Sequence, residues 1–201
     1  RKPDIVKRFG EDILTKDQYL RSPMRAEDIS ELDKYYLRDE QLFLEPGDLR
    51  VTEYMVSIID EIITRYPDLS GVHLDYVRYP YPVPFIPRSS FNKFGLTYGY
   101  AKENINRFKE KTGLDSLSMN YDNENSLLWD DWKRDQVTEL VGNLAKAIKN
   151  KSSEMLISCA VIPSSETAFS AAFQDWPGWL ENGIVDYVVL MNYTKNNQLA
   201  K

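Results

Sequence analysis

His73 and Asp75 stand two residues apart in an otherwise apolar run, Gly71-Val72-His73-Leu74-Asp75-Tyr76-Val77, and Arg78 follows directly. In an extended chain, residues i and i+2 share a face, so the imidazole and the carboxylate project the same way. Unpaired ionisable groups are costly to bury, so two of them on one face of an apolar strand call for an explanation. One is a carboxylate at the mouth of a pocket, tuned by the imidazole and the guanidinium. The other is a structural ion pair between Asp75 and Arg78 that closes the end of a sheet. A metal held by His73 and Asp75 would need carboxylates to complete its ligand set, because His73 is the only histidine among the 201 residues. A hydrogen-bonded histidine is the simpler reading, and the sequence is read as holding no metal or other cofactor.

Four further positions qualify. Glu166 lies in a Ser-rich stretch after a second apolar run, where another active-site carboxylate could sit. Asn192 and Tyr193 close a third run. Arg134 belongs to Trp129-Asp-Asp-Trp-Lys-Arg134, read as opening a helix; a cation there opposes the helix dipole, so a ligand or the Asp130/Asp131 pair should hold it. Trp176 and Trp179, three apart, suit core packing better than a sugar platform.

The elements that must position these residues follow from periodicity. Apolar residues at Val51, Tyr54, Met55, Ile58, Ile59, Ile62 and Ile63 predict an amphipathic helix over 51–66, with Asp48 as its N-cap and Pro67 as its stop. Strands are expected at 71–77, 155–162 and 184–191, and Gln41–Leu44 is a short apolar run. Helices are expected at 97–112 (ended by Gly113), 129–150 and 175–182. Residues 1–40 read as a loop-rich lead-in with room for one helical turn, and 80–95 and 114–128 as loops. Strands alternating with helices predict an α/β fold with a parallel sheet, whose chemistry gathers at the C-terminal strand ends.

Composition excludes several classes. With 25 Lys+Arg against 31 Asp+Glu and a net charge of −6, a nucleic-acid partner is not expected. No apolar run reaches the roughly 18–20 residues of a membrane span. The single cysteine, Cys159, excludes an intramolecular disulfide and a multi-cysteine zinc site. Thirteen Tyr, eight Phe and four Trp are enough either to fill a core or to stack on sugars. The chain begins with Arg and carries no signal pattern, so it is read as an excerpt, 1–201 being the central portion of a single domain. No compartment is assigned, with periplasmic and extracellular placement left open.

Several motifs in order resemble the bacterial glycosyl-hydrolase-like family 10 proteins. They are Glu45-Pro-Gly-Asp48 before a helix, Gly71-Val-His-Leu-Asp-Tyr-Val-Arg-Tyr-Pro80, Trp129-Asp-Asp-Trp-Lys-Arg134, Gln174-Asp-Trp-Pro-Gly-Trp-Leu180 and Asp186-Tyr-Val-Val-Leu-Met-Asn-Tyr-Thr194. The match departs from common family residues at Glu45, Thr52 and Leu190. The resemblance implies a (β/α)8 TIM barrel, present here as a partial barrel with three to four parallel strands. It also implies a glycosidase acting on a carbohydrate with two carboxyl groups, retaining rather than inverting. Asp75 matches the family's nucleophile position, and Glu166 is the first choice for the acid, with Asp122, Glu124 and Asp175 as alternatives. His73, Arg78, Arg134, Asn192 and Tyr193 would contact substrate. A carbohydrate-binding, catalytically silent barrel is the second reading, and a metal-dependent hydrolase the third. A partial barrel leaves sheet edges open, which an oligomer or the rest of a longer chain would cover.

Overall fold

A computed structural model describes residues 4–15, 43–80, 98–120 and 122–193. The described elements run α1 (Asp4–Phe9), a 3-10 turn (Glu11–Ile13), α2 (Leu49–Arg65), β1 (Gly71–Leu74), α3 (Lys102–Thr112), α4 (Asn123–Lys151), β2 (Leu156–Val161), α5 (Ser165–Ala171), α6 (Trp176–Glu181) and β3 (Tyr187–Leu190). They form a mixed helix/strand α/β arrangement whose three strands make one parallel sheet in the order β1-β2-β3. The loop expected at 80–95 lies outside the described residues, apart from Pro80, as do most of the 1–40 lead-in and Gln41 and Leu42. The helix expected from residue 97 starts only at Lys102, residues 98–101 being non-helical up to the cap at Ala101.

The chain divides into two compact units: Arg1–Val51 with Tyr79–Lys133, and Thr52–Arg78 with Arg134–Lys201. The second unit holds the sheet. His73 registers with Ser158 and Leu74 with Cys159, while Ser158 registers with Tyr187 and Ala160 with Val189. Alternation gives the sheet two faces. Leu74, Ile157, Cys159 and Val161 are buried on one, together with Ile59 and Ile63 of α2 and the α4 stripe Val137, Val141, Leu144 and Ile148. The other face carries His73, Ser158, Ala160, Tyr187 and Val189; it is open at Leu156, Tyr187 and Val189, which are 47%, 48% and 46% exposed, while Ser158 and Ala160 on the central strand are buried. A side chain at Gly71 would place its Cβ 2.6 Å from the Leu156 carbonyl oxygen, so the start of β1 requires glycine for the strands to pair.

In the first unit, Tyr100, Phe108, Trp129 and Trp132 form a buried aromatic cluster. Phe108 meets Trp129 edge-on at 4.7 Å between ring centroids. The Glu45-Pro-Gly-Asp48 turn is also buried here, and its backbone passes so close to Asn104 that a Cβ on Gly47 would collide with Asn104 Oδ1.

Three other expectations are corrected. The long helix begins at Asn123 rather than Trp129, because Asp122 Oδ1 accepts the Asn125 amide at 2.9 Å and so caps it; the expected loop is non-helical only over 114–120 and at Asp122. The Ser-rich stretch that carries Glu166, where no helix was expected, forms α5, capped by Ser164 Oγ accepting from the Thr167 amide at 3.2 Å. The strands are shorter than expected: β1 (71–74) stops three residues early, where the chain turns at Tyr76; β2 (156–161) loses one residue at each end; and β3 (187–190) starts three residues late and ends one early.

Candidate functional site

The C-terminal edge of the sheet collects most of the residues singled out from the sequence. His73, on β1, reaches across the register to Ser158 on β2, with Nδ1 2.8 Å from the serine Oγ. Asp75 comes one residue after β1, is exposed, and continues the alternation that puts His73 on the open face. Its Oδ1 accepts the Tyr76 amide at 2.7 Å, and Oδ2 makes no hydrogen bond among the described residues. Tyr76 itself has φ 56°, a left-handed conformation that is strained for a bulky residue and that concentrates at functional sites. The turn continues with the Arg78 amide donating to the Tyr76 carbonyl at 2.8 Å, and the Arg78 guanidinium lies 5.1 Å from the Tyr76 ring centroid.

Gln174 holds this edge together. The side chain is fully buried; its Oε1 accepts the Ile162 amide at 3.0 Å, while Nε2 donates to the carbonyls of Val77 at 3.3 Å and Ala160 at 3.2 Å. One amide thus ties the loop after β1 to the end of β2. Phe173 just before it has φ 55°, the other non-glycine residue with positive φ among the described residues.

Glu166 lies in the first turn of α5, five residues beyond β2, and is exposed; its carboxyl group makes no hydrogen bond or ion pair among the described residues. Asn192 and Tyr193 follow β3, both exposed, the tyrosine 91% so. Asp75, Glu166 and Tyr193 therefore follow three neighbouring parallel strands at the same edge of the sheet.

The profile of the family described as glycosyl hydrolase-like 10 matches residues 23–200. The chain belongs to this family. A comparison with curated proteins found no match.

Within this glycosyl hydrolase-like chain, other motif residues have structural work. Arg134 is not near a helix start: α4 begins eleven residues earlier, so the dipole reasoning does not apply to it. It is 8% exposed, its Nη1 donates to the Phe169 carbonyl at 3.2 Å, and its guanidinium carbon sits 3.9 Å from the Phe169 ring centroid. The tryptophans pack as expected: Trp179 is fully buried with Nε1 donating to Thr138 Oγ1 at 2.9 Å, and Trp176 Nε1 donates to the Ile162 carbonyl at 3.1 Å. Of the alternative acids, Asp122 caps α4 and Asp175 caps α6, accepting the Gly178 amide at 3.2 Å.

Glu45 sits in the first unit, fully buried, and Tyr79 donates its hydroxyl proton to Glu45 Oε1, which also accepts the Gly47 amide at 3.2 Å. The chain of bonds continues from Trp132 Nε1 to Asn104 Oδ1 at 2.8 Å and from Asn104 Nδ2 to the Gly99 carbonyl at 2.7 Å. Burial pushes the Glu45 carboxyl above its ordinary range, against the hydrogen bonds that pull it down; burial and the adjacent Glu45 push Tyr79 well up.

Sequence reasoning missed Ser158 and Gln174 as contributors to the edge. Gln174 opened a quoted motif, so a buried amide beside two tryptophans was available as a signal; Ser158 offered none without the strand register. No group of three His, Cys, Asp or Glu able to hold a metal occurs among the described residues. Among them, too, no helix is long and apolar enough to cross a membrane.

Proposed function

We propose that this chain is part of a glycoside hydrolase that cleaves O-glycosidic bonds of an oligo- or polysaccharide with Asp75 and Glu166 as its two carboxyl groups. The observation that carries the reading is Asp75: an exposed carboxylate at the C-terminal edge of a parallel sheet, beside a strained Tyr76, in a glycosyl hydrolase-like family. In a (β/α)8 barrel the open face of β1–β3 becomes the inner wall, and further strands pair with the outer edges of β1 and β3.

Asp75 has one oxygen fixed by the Tyr76 amide and the other unengaged, which suits a nucleophile or base that must present a single lone pair in a fixed direction. Glu166, one strand over with an unengaged carboxyl group, is the partner that protonates the leaving oxygen. His73 and Arg78 flank Asp75 with hydrogen-bond donors for sugar hydroxyls, and Asn192 with the exposed Tyr193 ring supplies a polar contact and a stacking surface. The related barrels favour retention, which requires about 5–5.5 Å between the two carboxyl groups at work, against roughly 6.5–9.5 Å for inversion. Arg134, packed on Phe169, serves the scaffold in this reading.

The test is Asp75→Asn and Glu166→Gln in the full chain on an oligosaccharide panel, with product anomers followed by NMR. Turnover falls about 10²–10⁴-fold in either variant while melting temperature holds. Wild-type turnover in Asp75→Asn would end the proposal; sugar binding without turnover in the wild type would replace it with a silent carbohydrate-binding barrel.

A further inference from the structure

Ser158 is 3% exposed, and its hydroxyl has one hydrogen-bond partner among the described residues, Nδ1 of His73 at 2.8 Å. A serine hydroxyl carries one proton, and a buried donor left without an acceptor costs a large part of a hydrogen bond. If Nδ1 carried the imidazole proton and donated to Oγ, the serine's own proton would have no acceptor among the described residues. If Oγ donates to Nδ1, both atoms are satisfied. The second arrangement leaves Nδ1 as acceptor and puts the proton of the neutral ring on Nε2. Nε2 makes no hydrogen bond among the described residues, and it belongs to the open face that Asp75 shares.

We propose that Ser158 is a positioning residue: it fixes neutral His73 as the Nε2–H tautomer, so that the ring offers a donor, not an acceptor, to a sugar hydroxyl beside Asp75. The tautomer follows from geometry alone; its catalytic consequence rests on the glycosidase reading above. The strand register explains why this pair is stable, since His73 and Ser158 are direct partners on neighbouring strands and Tyr187 flanks Ser158 on the other side. A donor at Nε2 recognises the lone pairs of a hydroxyl or ring oxygen, and an acceptor there would select a different hydroxyl orientation.

The experiment exploits the single histidine of the chain. The full chain is labelled with ¹⁵N-histidine, and the ring is read by long-range proton–nitrogen correlation at a pH where it is neutral. Expected is a pyridine-type shift at Nδ1 and a pyrrole-type shift at Nε2. In Ser158→Ala both move towards the averaged values of a free imidazole, and Ser158→Thr restores them. On an oligosaccharide that Asp75→Asn no longer cleaves, Ser158→Ala lowers kcat/KM about tenfold, about 1.4 kcal/mol, at an unchanged melting temperature, and Ser158→Thr recovers it. A pyrrole-type shift at Nδ1 in the wild type, or unmoved shifts in Ser158→Ala, overturns the proposal. So do moved shifts with an unchanged kcat/KM. If the wild type cleaves no oligosaccharide, the glycosidase reading falls, and the shifts alone decide for or against the Ser158–His73 bond.

Discussion

Replacing Gln174 with leucine, a side chain of similar size, removes three hydrogen bonds at once: one received from Ile162 and two given to Val77 and Ala160. The Ile162 amide, in a residue only 6% exposed, loses its acceptor, at a cost of about 1–3 kcal/mol. The two carbonyls lose one donor each, a smaller penalty because each has a second lone pair. The total is about 2–4 kcal/mol, a large fraction of the roughly 5–15 kcal/mol that holds a domain folded. At about 2–4 °C per kcal/mol for a chain of this size, melting temperature should drop by about 5–15 °C. Urea denaturation measures the free energy, and amide hydrogen exchange at Ile162 reports the local loss. Because the same side chain anchors the loop that carries Asp75, turnover should fall even well below the melting transition, as Val77 releases the strained turn at Tyr76. A loss under about 0.5 kcal/mol, or unchanged protection at Ile162, would refute the staple.

The folded state holds the Glu45 carboxyl raised, so its protonated form supports folding below the unfolded value of 4.5 and that support is lost as pH rises through the folded value. Glu45→Gln keeps an acceptor for Tyr79 and Gly47, and should flatten stability against pH across that window in urea titrations; an unchanged slope would count against it. Asp186 runs the opposite way. The Ile157 amide at 2.7 Å, then Lys149, lower it, so its contribution is present above the ordinary carboxylate range and lost as pH falls through the lowered value. Asp186→Ala should therefore cost about 1–2 kcal/mol at neutral pH and less in strong acid, where the neutral carboxyl keeps only a weaker bond to the Ile157 amide. Cys159 is fully buried, and burial pushes its thiol up to about 12, so a thiol reagent at neutral pH should label it only on unfolding; rapid labelling of native protein would contradict the buried sheet face.

Periodicity made α2, β1 and β2 legible because each commits a whole face to the core and few other patterns explain their apolar spacing. α5 was not legible: seven residues with one buried alanine, Ala168, carry too little periodicity, and Ser164-Ser165 reads as loop unless Ser164 is taken as a cap. The start of α4 is hidden because Asn123-Glu-Asn-Ser126 is polar throughout and its first turns bury little, although Asp122 three residues before Asn125 is a cap signal in plain view. His73 and Asp75 stood out because ionisable groups in an apolar strand are costly and local. Ser158 and Gln174 did not, since their roles arise from partners 85 and 97 residues away that only the register brings together.

The motifs that signalled the family divide between two kinds of work, and burial is what separates them. A perturbed carboxyl in a family motif is ordinarily a lead to an active site. Glu45 fits that description by its chemistry, yet it is fully buried under Tyr79, with the backbone of its own turn pressed against Asn104, and no sugar can reach it in this structure. Its perturbation comes from being enclosed. Asp75 has the reverse character: it is exposed, it has one oxygen fixed and one unengaged, and it sits where strained backbone turns the chain at a sheet edge. A group that must meet substrate needs access as well as tuning. The first unit's motif residues are therefore the frame, and the proposed glycosidase site rests on the strand-end residues of the second unit.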